Sequence, residues 1–166
     1  MPQPKRTRAT TVAIALSGML LATLASGSAV ASPLHGVGAP VTHRVRVGGD
    51  TWQMFKATNE SRGRFGVGKL VLNREMSQVA LKHSEAMVKA GALFHTADVD
   101  TYLQGITWHS WGENVGYTPG DIASLEAAFM ASPPHRENIL DRSFTHVAIG
   151  VARNKGYLWV TVFFYD

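Results

Sequence analysis

The sequence predicts an α+β fold in which helices lead, a β-hairpin closes the chain, and helices cover both faces of the sheet. Three observations carry this. Arg74 to Ala90 places Met76, Val79, Ala80, His83, Met87 and Ala90 at i, i+3, i+4, i+7 spacing, the apolar stripe of a packed helix. "HVAIGVAR" alternates Val147, Ile149 and Val151 with the small residues Ala148, Gly150 and Ala152. After the turn "NKG", "YLWVTVFFY" is apolar on both faces, as expected of a strand covered on both sides.

Taken in order, the chain opens with Lys5, Arg6 and Arg8, continues in an apolar run from Val12 to Ala25, and reaches "AVA" at Ala29–Ala31. This is the pattern of a secretory signal peptide over residues 1–31. The run is shorter than the roughly 20 residues a bilayer requires, and no other stretch is apolar enough to span a membrane. The expectation is a secreted, extracellular protein with no transmembrane anchor. Three charges of the net +4 lie in this segment, which leaves +1 beyond it. The high pI therefore belongs largely to the targeting segment, and no clustered basic face points to nucleic acid. Residues 32–50 are rich in Pro, Gly and Val and read as a flexible leader, with an extended piece at Val41–Val47. Residues 51–166 form the domain. The chain has no cysteine, so packing alone holds it together, and thiol nucleophiles and Cys-based zinc sites are excluded.

Thr51 to Arg62 places Trp52, Phe55 and Asn59 at i, i+3, i+7 and reads as a helix, broken by the glycines of "GRFGVGK". Gly91 ends the Arg74–Ala90 helix. His83, on its apolar stripe, reads as a core histidine. "WHSWGENVGYTPG" is rich in turn residues. Thr118 and Pro119 then suit the N-cap and first position of a helix carrying Ile122, Leu125 and Phe129, which Pro133 and Pro134 terminate.

Three polar residues sit where the backbone is sharply constrained. His95 follows a helix end, Glu113 lies between Gly112 and Asn114, and His135 follows the double proline. Imidazole nitrogen and carboxylate oxygen are ligands for zinc or another divalent metal, and the same groups serve general acid/base catalysis. The alternative is that Glu113 and His135 tie loops together by hydrogen bonds. Asn138 suits backbone bonding in an irregular loop, and Arg136 suits pairing with Asp141. Trp108, Trp111 and Tyr117 either rim a glycan or lipid site or pack a loop on the core. No H-E-x-x-H, G-x-S-x-G, Walker or dinucleotide motif occurs.

Four elements in order resemble one family. "TNESR", "ALKHSEAMVKAGALFH", "WGENVG" and "FMASPPHRENILDRSFTHVAIGVA" are similar to the successive signatures of the CAP superfamily. It comprises cysteine-rich secretory, antigen 5 and pathogenesis-related 1 proteins, its domain is also called the SCP domain, and the resemblance here is to its bacterial branch. The resemblance covers nearly all of Thr51 to Asp166. It implies an α–β–α sandwich with a C-terminal β-hairpin, and a cavity that His95, Glu113 and His135 face. Members often carry two His and two Glu there, and some bind zinc or another divalent cation. His95 matches the first His and Glu113 the first Glu. Ser132 stands where the second Glu is expected and Ser143 where the second His is, with His135, or else His146, as a spatial substitute.

No single reaction defines the family. The resemblance therefore implies an extracellular binding or interaction module, with a lipid, glycan or protein partner and His95, Glu113, His135 and Asn138 at the cavity. His95, Glu113 and His135 are the candidate metal ligands. The alternative is a metal-assisted hydrolase of a peptide, ester or phosphodiester. No residue is assigned as catalytic.

Overall fold

A computed structural model describes residues 6–9 and 47–166. The signal peptide and leader predicted from the sequence lie outside the described residues, apart from Arg6–Ala9 and residues 47–50. The extended piece expected at Val41–Val47 likewise falls outside them, except for Val47. The elements are β1 (Arg6–Ala9), α1 (Gly49–Arg64), β2 (Val71–Leu72), α2 (Arg74–Ala90), α3 (Val99–Tyr102), β3 (Ser110–Thr118), α4 (Ile122–Ala131), α5 (Pro133–Leu140), β4 (His146–Asn154) and β5 (Tyr157–Tyr165). The strands form one sheet in the order β1-β3-β5-β4-β2.

β4 and β5 make the predicted hairpin, with Ile149 opposite Val162 and Asn154 opposite Tyr157. Because successive side chains point to opposite faces, β5 feeds two cores. Leu158, Val160, Val162 and Phe164 join Met54, Leu125, Phe129 and Ile139 beneath α1, α4 and α5. Phe163 and Tyr165 join Met76, Ala80, Trp108 and Trp111 on the α2 face. This is the α–β–α sandwich.

α2 forms where its spacing predicts. Asn73 caps its start by accepting from the Met76 amide at 3.0 Å, and Gly91 follows as its C-cap. Its contact with the sheet is close because Gly150 on β4 has no side chain. A Cβ there would lie 2.1 Å from Ala80 C and Leu81 N of α2. The buried Arg62 fastens the other layer. It donates to the carbonyls of Gly68, Ile139, Asp141 and Phe144 at 2.6–3.1 Å, joining the end of α1 to the end of α5.

The structure differs from the sequence expectation in three places. The turn-rich stretch contains a nine-residue strand, β3, antiparallel to β5. Its glycines serve close packing: a Cβ on Gly112 would meet Asn138 Oδ1 at 2.8 Å and Phe144 Cζ at 2.9 Å. Asp121, and not Thr118, caps α4 through a reciprocal pair with Ser124, which satisfies two amides at once. Pro133 and Pro134 do more than end α4. They occupy the first turn of a new helix, α5, where their missing N–H groups are not needed. His135 and Asn138 therefore ride on a helix. Arg136 lies over the Phe65 ring at 4.3 Å. Trp108 and Trp111 pack the core, at 6% and 1% exposure.

Candidate functional site

β3 is the hub of the site, and its alternation divides the site between two faces. Glu113 is fully buried on the α2 face. Its Oε2 accepts from His95 Nδ1 at 2.7 Å and from the Thr96 amide at 2.9 Å. Its Oε1 accepts from Thr96 Oγ1 at 3.0 Å and lies 3.8 Å from His83 Nδ1. The carboxylate thus pins the segment after α2 to the sheet. The neighbouring Asn114 points to the α5 face, where it donates to the His135 carbonyl at 3.0 Å. Asn138 donates to the Glu113 carbonyl at 3.2 Å and to Asn114 Oδ1 at 2.9 Å. Asn138 therefore positions β3 against α5 rather than bonding a loop.

His83 belongs to the site, although the sequence reads it as a core residue. It is buried, but a hydrogen-bond chain orients it. Ser84 Oγ donates to the Gly150 carbonyl at 3.1 Å. Ser84 Oγ is also 2.9 Å from Thr161 Oγ1, so the Thr161 hydroxyl donates to Ser84. Thr161 Oγ1 then accepts from His83 Nδ1 at 3.1 Å. His83 carries its proton on Nδ1, and Nε2 is a bare acceptor with no hydrogen-bond partner among the described residues. Burial depresses the His83 pKa against the pull of Glu113, and His95 depresses it further. Phe94 and Tyr102 stand edge-on to its ring at 5.1 and 5.7 Å. A signal was available in the sequence: His83 is followed by Ser84, a polar pair on the buried face of α2.

His135 is fully buried and stacks on Phe129 at 4.8 Å. Its Nδ1 lies 2.8 Å from Ser132 Oγ, so the serine in the expected acid position orients the imidazole. Burial, and then the charge His95 would carry, lower the His135 pKa to about 4, against the Val115 carbonyl, which favours the proton. His146 is elsewhere, stacked on Tyr165 at 5.3 Å, and Ser143 bonds Asp141.

Among the described residues, no group of three or more His, Asp or Glu side chains is placed to hold a metal ion. The donor set gives the reason. Both Glu113 oxygens already accept from His95 and Thr96, and His135 approaches from the opposite face of β3, held by Ser132. As arranged, His95, Glu113 and His135 do not fit a divalent cation. The cluster instead offers neutral imidazole at His83 and His135, and an acceptor at His83 Nε2.

Comparison with known proteins places the fold in a family. The family model for the cysteine-rich secretory protein family, CAP, matches residues 55–164. The chain belongs to this family. Among curated proteins, it is 28% identical over 107 residues to the membrane protein YlbC of Bacillus subtilis, which covers 61% of this chain and 31% of YlbC. It is 27% identical over 119 residues to YkwD of the same organism, covering 67% and 45%. The chain thus spans less than half the length of either. Among solved structures, an extracellular protein of Bacillus anthracis containing an SCP domain aligns with a TM-score of 0.63 and 26% identity. That match covers 71% of this chain and 40% of the other. No helix among the described residues is long and apolar enough to cross a membrane.

Proposed function

We propose that this chain is a secreted, extracellular binding module, and that the cluster of His83, His95 and Glu113 contacts a polar ligand rich in hydroxyl groups, such as a glycan. The observation that carries this is the buried acceptor His83 Nε2, without a partner among the described residues. An unsatisfied buried acceptor costs about 1–3 kcal/mol, and a ligand hydroxyl would supply its donor. Beside these buried groups the His95 side chain is 11% exposed and Phe94 is 37% exposed. The presence of an SCP domain in an extracellular bacterial protein supports export. The hydrolase alternative has no free carboxyl in this cluster, since Glu113 is committed to His95 and Thr96.

The test is a titration of the purified protein with cell-envelope glycan fragments, following the histidine ring signals by NMR. Saturable shifts of the His83 and His95 signals, weakened by His95→Ala, support the assignment. Absence of saturable binding at these histidines across the fragments would sink it. Secretion is checked by finding the mature N-terminus at Ser32 in culture medium.

A further inference from the structure

The seam between α1 and α4 holds a carboxyl that the histidine cluster does not use. Glu126 on α4 is 5% exposed. Its Oε2 accepts from Thr58 Oγ1 at 3.2 Å, and the nearby Ser61 hydroxyl also favours the ionised carboxyl. Its Oε1 is buried with no hydrogen-bond partner among the described residues. Burial holds the group above its ordinary pKa, against the pull of both hydroxyls. The bond across the helix seam uses Oε2, and Oε1 is left without a partner among the described residues.

Glu126 also lines an open groove of about 460 Å³, with Ser61 and Arg64 of α1 and Ala123, Ala127 and Met130 of α4 around it. The volume lies within the range of small-molecule sites, about 300–1,000 Å³. The alanines create the space, since larger side chains at Ala123 and Ala127 would fill it. Glu60 and Arg64 contribute opposite charges from α1 and offset one another, which leaves Glu126 to set the polarity of the groove.

We propose that this groove is a second ligand site, separate from the histidine cluster, which takes a small organic amine whose ammonium group donates to Glu126 Oε1. A neutral hydroxyl would satisfy the hydrogen bond but leave a buried carboxylate uncompensated. An ammonium group does both, because a nearby positive charge favours the ionised carboxyl and a charge-assisted bond is about twice as strong as a neutral one. A carboxylate ligand brings neither a donor nor a compensating charge.

The test is an NMR titration of the full chain with n-butylammonium chloride, and in parallel with n-butanol of matching shape. The expected result is saturable shifts of the Ala123 and Ala127 methyl signals with the amine, and binding at least ten-fold weaker for butanol. Glu126→Gln weakens the amine at least ten-fold, and Ala127→Leu, which keeps the carboxyl and fills the groove, does the same. Thermal unfolding of each variant establishes that it is folded, and if Glu126→Gln is not, Ala127→Leu and the butanol comparison decide. No saturation with the amine, equal binding of butanol, or full binding by Ala127→Leu would overturn the proposal.

Discussion

Mild acid will destabilise this fold through His135. The ring is buried, stacked on Phe129 and oriented by Ser132, and its pKa falls from 6.5 to about 4. The unfolded chain therefore takes up a proton that the folded chain refuses. Stability from this group is complete above the unfolded pKa and is lost as the pH falls from 6.5 towards 4, below which the loss levels off. Linkage between these two values gives about 2 kcal/mol of lost stability between about pH 7 and about pH 5. Local relaxation around the protonated ring reduces the expectation to about 1–2 kcal/mol. His83, also depressed by burial, adds to the loss in the same direction. The assay is urea denaturation at both pH values for the parent and His135→Gln, which keeps a polar side chain but cannot titrate. The variant is less stable at neutral pH, yet its loss on acidification is smaller than the parent's by about 1–2 kcal/mol. The reasoning fails if the two slopes are equal, or if the His135 ring signal titrates near its ordinary value.

Other perturbations address the scaffold. Gly150→Ala drives a Cβ into the α2 backbone and is expected to cost about 3 kcal/mol or more by overpacking, read as a lowered urea midpoint. Arg62→Met removes the donor from four carbonyls, those of Ile139 and Phe144 in buried bonds, and is expected to cost about 3 kcal/mol; thermal unfolding checks it, and an unchanged Tm would contradict the hub role. Glu113→Ala removes the acceptor of the Thr96 amide, so hydrogen exchange of that amide accelerates at least ten-fold while the amides of β5 keep their protection. Because both Glu113 oxygens are engaged, calorimetric titration with zinc shows no one-site isotherm dependent on both His95 and His135; a tight isotherm lost in both alanine variants would refute that account of the site.

The sequence by itself determined the elements whose signals are local. The 3.6-residue stripe placed α2, period-two alternation placed β4, and the continuous apolar run placed β5, because each pattern is a property of a few neighbouring side chains. The order of four motifs was enough to indicate the family, and with it the sandwich. Tertiary structure decided the rest. "SWGENVGYT" is a strand only because β5 supplies its hydrogen bonds and because Gly112 and Gly116 admit Asn138, Phe144 and Phe129, none of which its own composition reveals. Pro133 reads equally well as the end of one helix or the start of the next, and packing under the sheet chose the second. His83 changed from core residue to site residue because Thr161 and Glu113, distant in sequence, meet its ring. Glu126 likewise became a candidate only once α1 lay against α4. A periodic pattern records which face a helix buries, but which polar atoms meet beneath that face is fixed by contacts between residues far apart in the chain.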